Sequence, residues 1–199
     1  VPHISSYYLT PEPKTLLSKK IERKLVNIDE NQGIEHYNQL ILFLKKNQYQ
    51  HYETSNFCLQ GYRAKHNSSY WENKSYLGLG PSAHSYNSPN RYFNVANNAL
   101  YINSILEQGK TPRAIEVLEE YEQFNDFIIT HLRTEIGLVK TDVLKFFPAK
   151  YWDYILKNLS TQIQNHTMLQ FTEESVRLYE ESWIYQDSVL RDLILIKNL

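Results

Sequence analysis

Residues 52–86, YETSNFCLQGYRAKHNSSYWENKSYLGLGPSAHSY, constrain the fold more than any other stretch of the chain. Gly61, Gly78, Gly80 and Pro81 interrupt any helical period, so the stretch cannot form one amphipathic helix. It permits strand, turn, short helix, strand and turn in succession. Segments that crowd glycine, aromatic, histidine and carboxylate side chains together usually line a pocket, so the specific chemistry is sought here first.

Upstream, the patterning alternates between strand and helix. Residues 3–9 are a β-prone run ended by Pro11 and Pro13. Thr15 caps a helix reaching about Lys24, and residues 29–47 form a stronger one, with Ile34, Tyr37, Leu40, Ile41 and Leu44 recurring at three and four. The aromatic content of 49–57 reads as a further strand. Strand, helix, helix, strand is the rhythm of parallel α/β units. The fold class expected is therefore α/β, residues 1–96 being the end of a partial (β/α) barrel whose other strands lie upstream. Strand-like residues at the first position, with no initiator Met, suggest a fragment.

Downstream, YLGLG within 75–86 reads as a short strand running into a PSAHS turn, and 91–95 as another. Residues 97–140 are expected as connecting helices, 99–108 ended by Gly109 and 114–135 ended by Gly137, with Glu119, Glu120 and Glu122 complementing a helix start. From Thr141, read as a cap, come short helices to Phe147 and over 149–164, a two-stranded wing over 168–179 and a closing helix over 182–196. Three helices and a hairpin make 141–199 a winged-helix-like domain. DNA binding is disfavoured, because this segment carries six Lys plus Arg against eight Asp plus Glu and a groove reader needs the opposite balance.

A formal net charge of -1 over 199 residues gives no general field for nucleic acid or anionic membrane. No apolar run is long enough to span a bilayer, and the first residues lack the basic and apolar regions of a signal peptide. The single cysteine, Cys58, excludes an internal disulfide and suits a reducing compartment.

His66, Asn67, Tyr70 and Trp71 form HNxxYW. On a helix, His66 and Tyr70 lie four apart on one face, with Asn67 and Trp71 on the adjoining one. An imidazole with two flat aromatics suits a planar macrocycle, the imidazole as axial iron ligand. The alternative is a helix whose Tyr and Trp are core and whose His is a structural hydrogen-bonding residue. Glu53, near a strand end, is a candidate acid, base or acceptor, or else a partner for Arg63 or Asn56. Gly78 and Gly80 let a ligand or another chain segment approach the backbone, and His84 follows them in the turn. His3, His36, His51, His131 and His166 show no metal-ligand spacing.

YExSNF, HNxxYW and GxGxxAHS, preceded by HISSYYLTPEP, closely resemble the HemW branch of the oxygen-independent coproporphyrinogen III oxidase family, over essentially the whole chain. The resemblance implies a radical SAM barrel with a [4Fe-4S] cluster and S-adenosylmethionine, followed by a HemN-type C-terminal domain. The CxxxCxC-type cluster motif of the family is absent here. HNxxYW goes with the branch regarded as cytoplasmic haem chaperones, which pass haem to acceptor proteins, and it nominates His66 as haem ligand with Asn67, Tyr70 and Trp71 around it. The enzymatic alternative is oxidative decarboxylation of porphyrin propionates. Pro81 and Ser82 depart from the small residues or Gly common in relatives.

Overall fold

The computed structural model describes residues 1–162 and 168–197. Its first layer is built on a long helix whose apolar residues recur at three and four. Strand β1 (His3–Ser5) leads to α1 (Leu16–Glu22), α2 (Glu30–Lys46), β2 (Gln50–Glu53) and β3 (Asn56–Cys58). The Asp29 carboxylate starts α2 by accepting from Asn31 N at 2.9 Å, and the Thr15 hydroxyl starts α1 by accepting from Ser18 N at 3.2 Å. On α2, Ile41 and Leu44 are buried against Phe57, with Ile4, Tyr37, Leu40 and Tyr49 around them.

Residues 49–57 are not one strand but a hairpin, β2 and β3, turning at Thr54 and Ser55. The sheet order is β1-β3-β2, and β3 is antiparallel to both neighbours. β1 and β2 thus run parallel, as the strand–helix–helix–strand rhythm requires, but β3 lies between them. The short turn lets β3 fold straight back onto β2, and burial of Phe57 beneath α2 favours the central position.

The next unit comprises α3 (Lys65–Trp71), β4 (His84–Asn87), β5 (Asn90–Asn94), α4 (Asn98–Gln108) and β6 (Arg113–Val117), with sheet order β4-β5-β6. YLGLG is not a strand; it meets β4 through one bridge, Tyr76 to Tyr86. Side chains take the place of a ladder there: Gly78 N donates to Ser85 Oγ at 2.9 Å and Asn94 Nδ2 to the Gly80 carbonyl at 2.9 Å. Residues 114–135 are not one helix either. Residues 113–117 pair with β5, and α5 (Glu120–Leu132) starts only where a capping box between Glu119 and Glu122 satisfies its first amides.

The last unit holds β7 (Leu138–Val139), α6 (Lys140–Phe146), α7 (Ala149–Gln162), β8 (Leu169–Phe171), β9 (Ser175–Leu178), a 3₁₀ turn (Glu180–Tyr185) and α8 (Gln186–Leu193). The sheet β7-β9-β8 includes the expected wing, whose turn is held by Thr172 Oγ1 accepting from Ser175 N at 3.0 Å. Thr141 is not the cap of α6: Val139 precedes that helix without a side-chain cap, and the Lys140 amide is taken by the Glu174 carbonyl across the sheet at 2.9 Å. The closing helix begins later than 182, after the 3₁₀ turn. His166 and the end of the 149–164 helix lie outside the described residues.

Phe124, Ile128 and Leu132 of α5 share one core with Leu138, Val143, Trp152, Ile155, Val176, Trp183, Val189 and Leu193. Each such side chain contributes about 1.5–3 kcal/mol on burial. By contrast, β6 is exposed along its whole length and α4 buries no residue. Stability is therefore concentrated in the C-terminal core and under α2.

Candidate functional site

Helix α3 begins at Lys65, after Ala64 in extended conformation, and ends at Trp71, with the amide of the following Glu72 donating to the Ser68 carbonyl. None of its residues is fully buried, so its sequence is not explained by core packing. His66 Nε2 lies 3.1 Å from the Tyr70 hydroxyl, and the two rings meet edge to face at 5.0 Å. Tyr70 in turn meets Tyr76 edge to face at 4.8 Å, and Tyr76 lies 6.3 Å from Tyr86. Two backbone bonds between Tyr76 and Tyr86, of 2.9 and 3.0 Å, fix this row of rings to the sheet. Burial, followed by the neighbouring Tyr70, raises the Tyr76 phenol above its ordinary value, so it stays neutral.

Trp71 is separated from this row. It lies roughly 140° around the helix from His66 and lines a cavity of about 140 Å³ with Tyr52, Arg63, His131 and Asp142. Among the described residues its buried Nε1 has no hydrogen-bond partner. Burial lowers the His131 pKa, and its Nδ1 lies 2.9 Å from the Phe127 carbonyl; the imidazole is neutral and serves the fold. Asn67, partly buried, lies on the Trp71 side. HNxxYW thus divides into an exposed His66–Tyr70 pair and an anchoring Trp71.

Among the described residues, the hydrogen-bond and ring contacts of the His66 imidazole are to Tyr70 and not to the other candidates. Glu53 is buried on β2 and accepts from the Asn56 side chain and from Ser55 N at 3.3 Å. Burial, outweighing these bonds, raises its carboxyl above the ordinary range. Arg63 pairs with Glu135 instead. A Cβ on Gly78 would strike the His84 carbonyl, so a chain segment occupies the close approach at that glycine. Gly80, at φ +101, has open space around it. His84 is exposed and rests edge to face on Phe93 at 4.9 Å.

Tyr76 and Tyr86 were not singled out from sequence; their contacts depend on a bridge that glycine-rich patterning does not announce. Nor was His51, buried on β2, whose Nδ1 lies 2.9 Å from a Glu180 carboxylate oxygen across the molecule. Cys58 is buried, which raises its thiol pKa and keeps it protonated. Among the described residues no three His, Cys, Asp or Glu side chains form a metal-binding group, and no helix is long and apolar enough to cross a membrane.

The fold resembles that of the Escherichia coli radical SAM enzyme coproporphyrinogen III oxidase, HemN: the TM-score is 0.65 at 16% identity, over 85% of this chain and 42% of that one. The architecture is thus shared with the HemN class, consistent with its C-terminal portion. No protein-family model matches the chain. The heme chaperone HemW of Lactococcus lactis is 26% identical over 198 residues, 98% of this chain and 51% of that protein. The heme chaperone HemW of Mycobacterium tuberculosis is 31% identical over 195 residues, 98% of this chain and 48% of that protein. The chain is thus similar over nearly all its length to HemW heme chaperones, and it spans about half the length of the curated relatives it matches.

Proposed function

We propose that the chain is the haem-handling part of a cytoplasmic haem chaperone, which takes up haem at His66 and passes it to acceptor proteins. The observation that carries the reading is the exposed His66–Tyr70 pair within a chain similar over nearly all its length to heme chaperones. A buried structural histidine would have its partners inside the core; His66 is exposed and, among the described residues, its ring has one hydrogen-bonding side-chain partner, Tyr70. The donor set fits the cargo. A neutral imidazole gives iron one nitrogen lone pair, and the adjoining tyrosine rings offer flat apolar surface to a macrocycle. Exposure suits handover, since an acceptor must reach the iron without unfolding the donor.

In this reading residues 1–96 present the haem-facing helix, 97–140 connect, and 141–199 form a packing module that binds no nucleic acid. The [4Fe-4S] cluster and S-adenosylmethionine of the radical SAM family would be held by sequence beyond this chain, whose one cysteine is buried. A second reading, oxygen-independent coproporphyrinogen III oxidase, is favoured by the likeness to HemN alone.

One experiment separates the two. The full-length protein, supplied anaerobically with cluster and S-adenosylmethionine, is expected to bind added haem and to leave coproporphyrinogen III unconverted; formation of protoporphyrinogen would establish the oxidase instead. His66→Ala is expected to alter the Soret spectrum and weaken haem retention while leaving the apo melting temperature nearly unchanged. A structural histidine would do the reverse, its loss stranding buried partners at about 1–3 kcal/mol.

A further inference from the structure

Tyr76 lies outside HNxxYW, yet it is the abutment on which the exposed pair rests. Its backbone is zipped to β4 by both bonds of the Tyr76–Tyr86 bridge, and Ser75 Oγ donates to Asn87 Oδ1 at 3.0 Å beside it. Two residues on, Gly78 is pressed against the His84 carbonyl with no space for a side chain. Segment 75–78 is therefore held tightly, and the Tyr76 ring projects from a fixed base onto the Tyr70 ring, 4.8 Å away. Tyr70, on a seven-residue helix with no fully buried side chain, would otherwise be free to change rotamer. Its hydroxyl is the group that meets His66, at Nε2 and not at Nδ1.

We infer that Tyr76 and Tyr70 form a two-ring orienting stack that fixes His66 with Nε2 toward the Tyr70 oxygen and Nδ1 outward, making Nδ1 the nitrogen that coordinates haem iron. The inference rests on the haem reading above and names the atom and the positioning residue within it. When Nε2 carries the ring proton it donates to the Tyr70 oxygen, and the Nδ1 lone pair forms the metal bond; no proton or electron leaves the site. Metal-bound histidines depend on such a bond from the second nitrogen, which sets ring orientation and ligand basicity, and its loss costs 10–100-fold in metal affinity. Asn67, on the adjoining face of the helix, lies toward Trp71. Among the described residues Nδ1 of His66 makes no hydrogen bond.

The test uses the haem-loaded full-length protein with histidine labelled with nitrogen-15 at Nδ1 alone or at Nε2 alone. Electron–nuclear double resonance of the low-spin ferric form, with His66→Ala subtracted, should give the strong iron hyperfine coupling from the Nδ1 label. Strong coupling from the Nε2 label would overturn the proposal, and this measurement needs no variant of the stack. In addition, Tyr76→Leu, which does not touch His66, should speed haem loss about tenfold, as Tyr70→Phe should, whereas Tyr76→Phe should preserve the wild-type rate. Equal rates in Tyr76→Leu and wild type, with the apo melting curve unchanged, would also overturn it. A spectrum that His66→Ala leaves untouched would instead overturn the haem-ligand reading on which the inference depends.

Discussion

His51 joins the first and last units of the chain, and its removal should be among the most damaging single changes outside the large core. Its side chain is 1% exposed and is stacked on Phe57 at 4.1 Å with Trp183 edge-on at 4.5 Å. Nδ1 meets Glu180 at 2.9 Å and Nε2 the Thr54 carbonyl at 3.2 Å. His51→Ala loses a hydrogen bond to a charged group, worth about 1.5–3 kcal/mol, and ring contacts worth about 0.5–1.5 kcal/mol. Because the Glu180 side chain is 23% exposed, the lower half of the first range applies, and the expected loss is about 3 kcal/mol. Lys45 binds the other carboxylate oxygen, but its side chain is 48% exposed. Lys45→Ala should therefore cost under about 1 kcal/mol. Urea unfolding of His51→Ala, Glu180→Gln and the double variant should give a coupling of about 1.5–2 kcal/mol. Additive losses would refute the reasoning. pH supplies a second axis. Burial raises the Glu180 carboxyl, but the bonds from His51 and Lys45 outweigh it and hold the group below its ordinary 4.5. A depressed folded value means stability present above 4.5 and lost as pH falls through the lower folded value. Glu180→Gln should flatten that acid limb.

Three further outcomes are expected. Gly78→Ala, driving a Cβ into the His84 carbonyl, should destabilise by about 1–3 kcal/mol and loosen haem retention with it, measured by melting temperature and haem dissociation rate. Glu53 has the opposite sign to Glu180: with its folded value raised, stability is fully present below the ordinary 4.5 and is lost as pH rises through the folded value, so Glu53→Gln should remove a downward slope from the stability–pH curve. Thr15→Ala should loosen α1 by about 1 kcal/mol, read as faster amide exchange over Leu16–Glu22, whereas Thr141→Ala should not act as a cap loss on α6.

Elements with local signals were legible in the residues alone. Asp29 and the three-and-four apolar spacing made α2, Gly109 in the left-handed region ended α4, and the Thr172 turn made the wing. The same holds for the short helix carrying HNxxYW, because an i, i+4 relation is fixed once the backbone is helical. The rest depended on contacts between segments distant in the chain. Residues 113–117 could extend toward the helix that follows until pairing with β5 made them a strand; YLGLG became a side-chain-pinned loop when Ser85 and Asn94 took its backbone groups. The order β1-β3-β2 follows from where Phe57 finds a buried surface, a non-local fact. The site divides in the same way: His66 and Tyr70 were legible as neighbours, but the support from Tyr76 and the turning of Trp71 into the cavity beside His131 depend on contacts between segments, which no periodicity encodes.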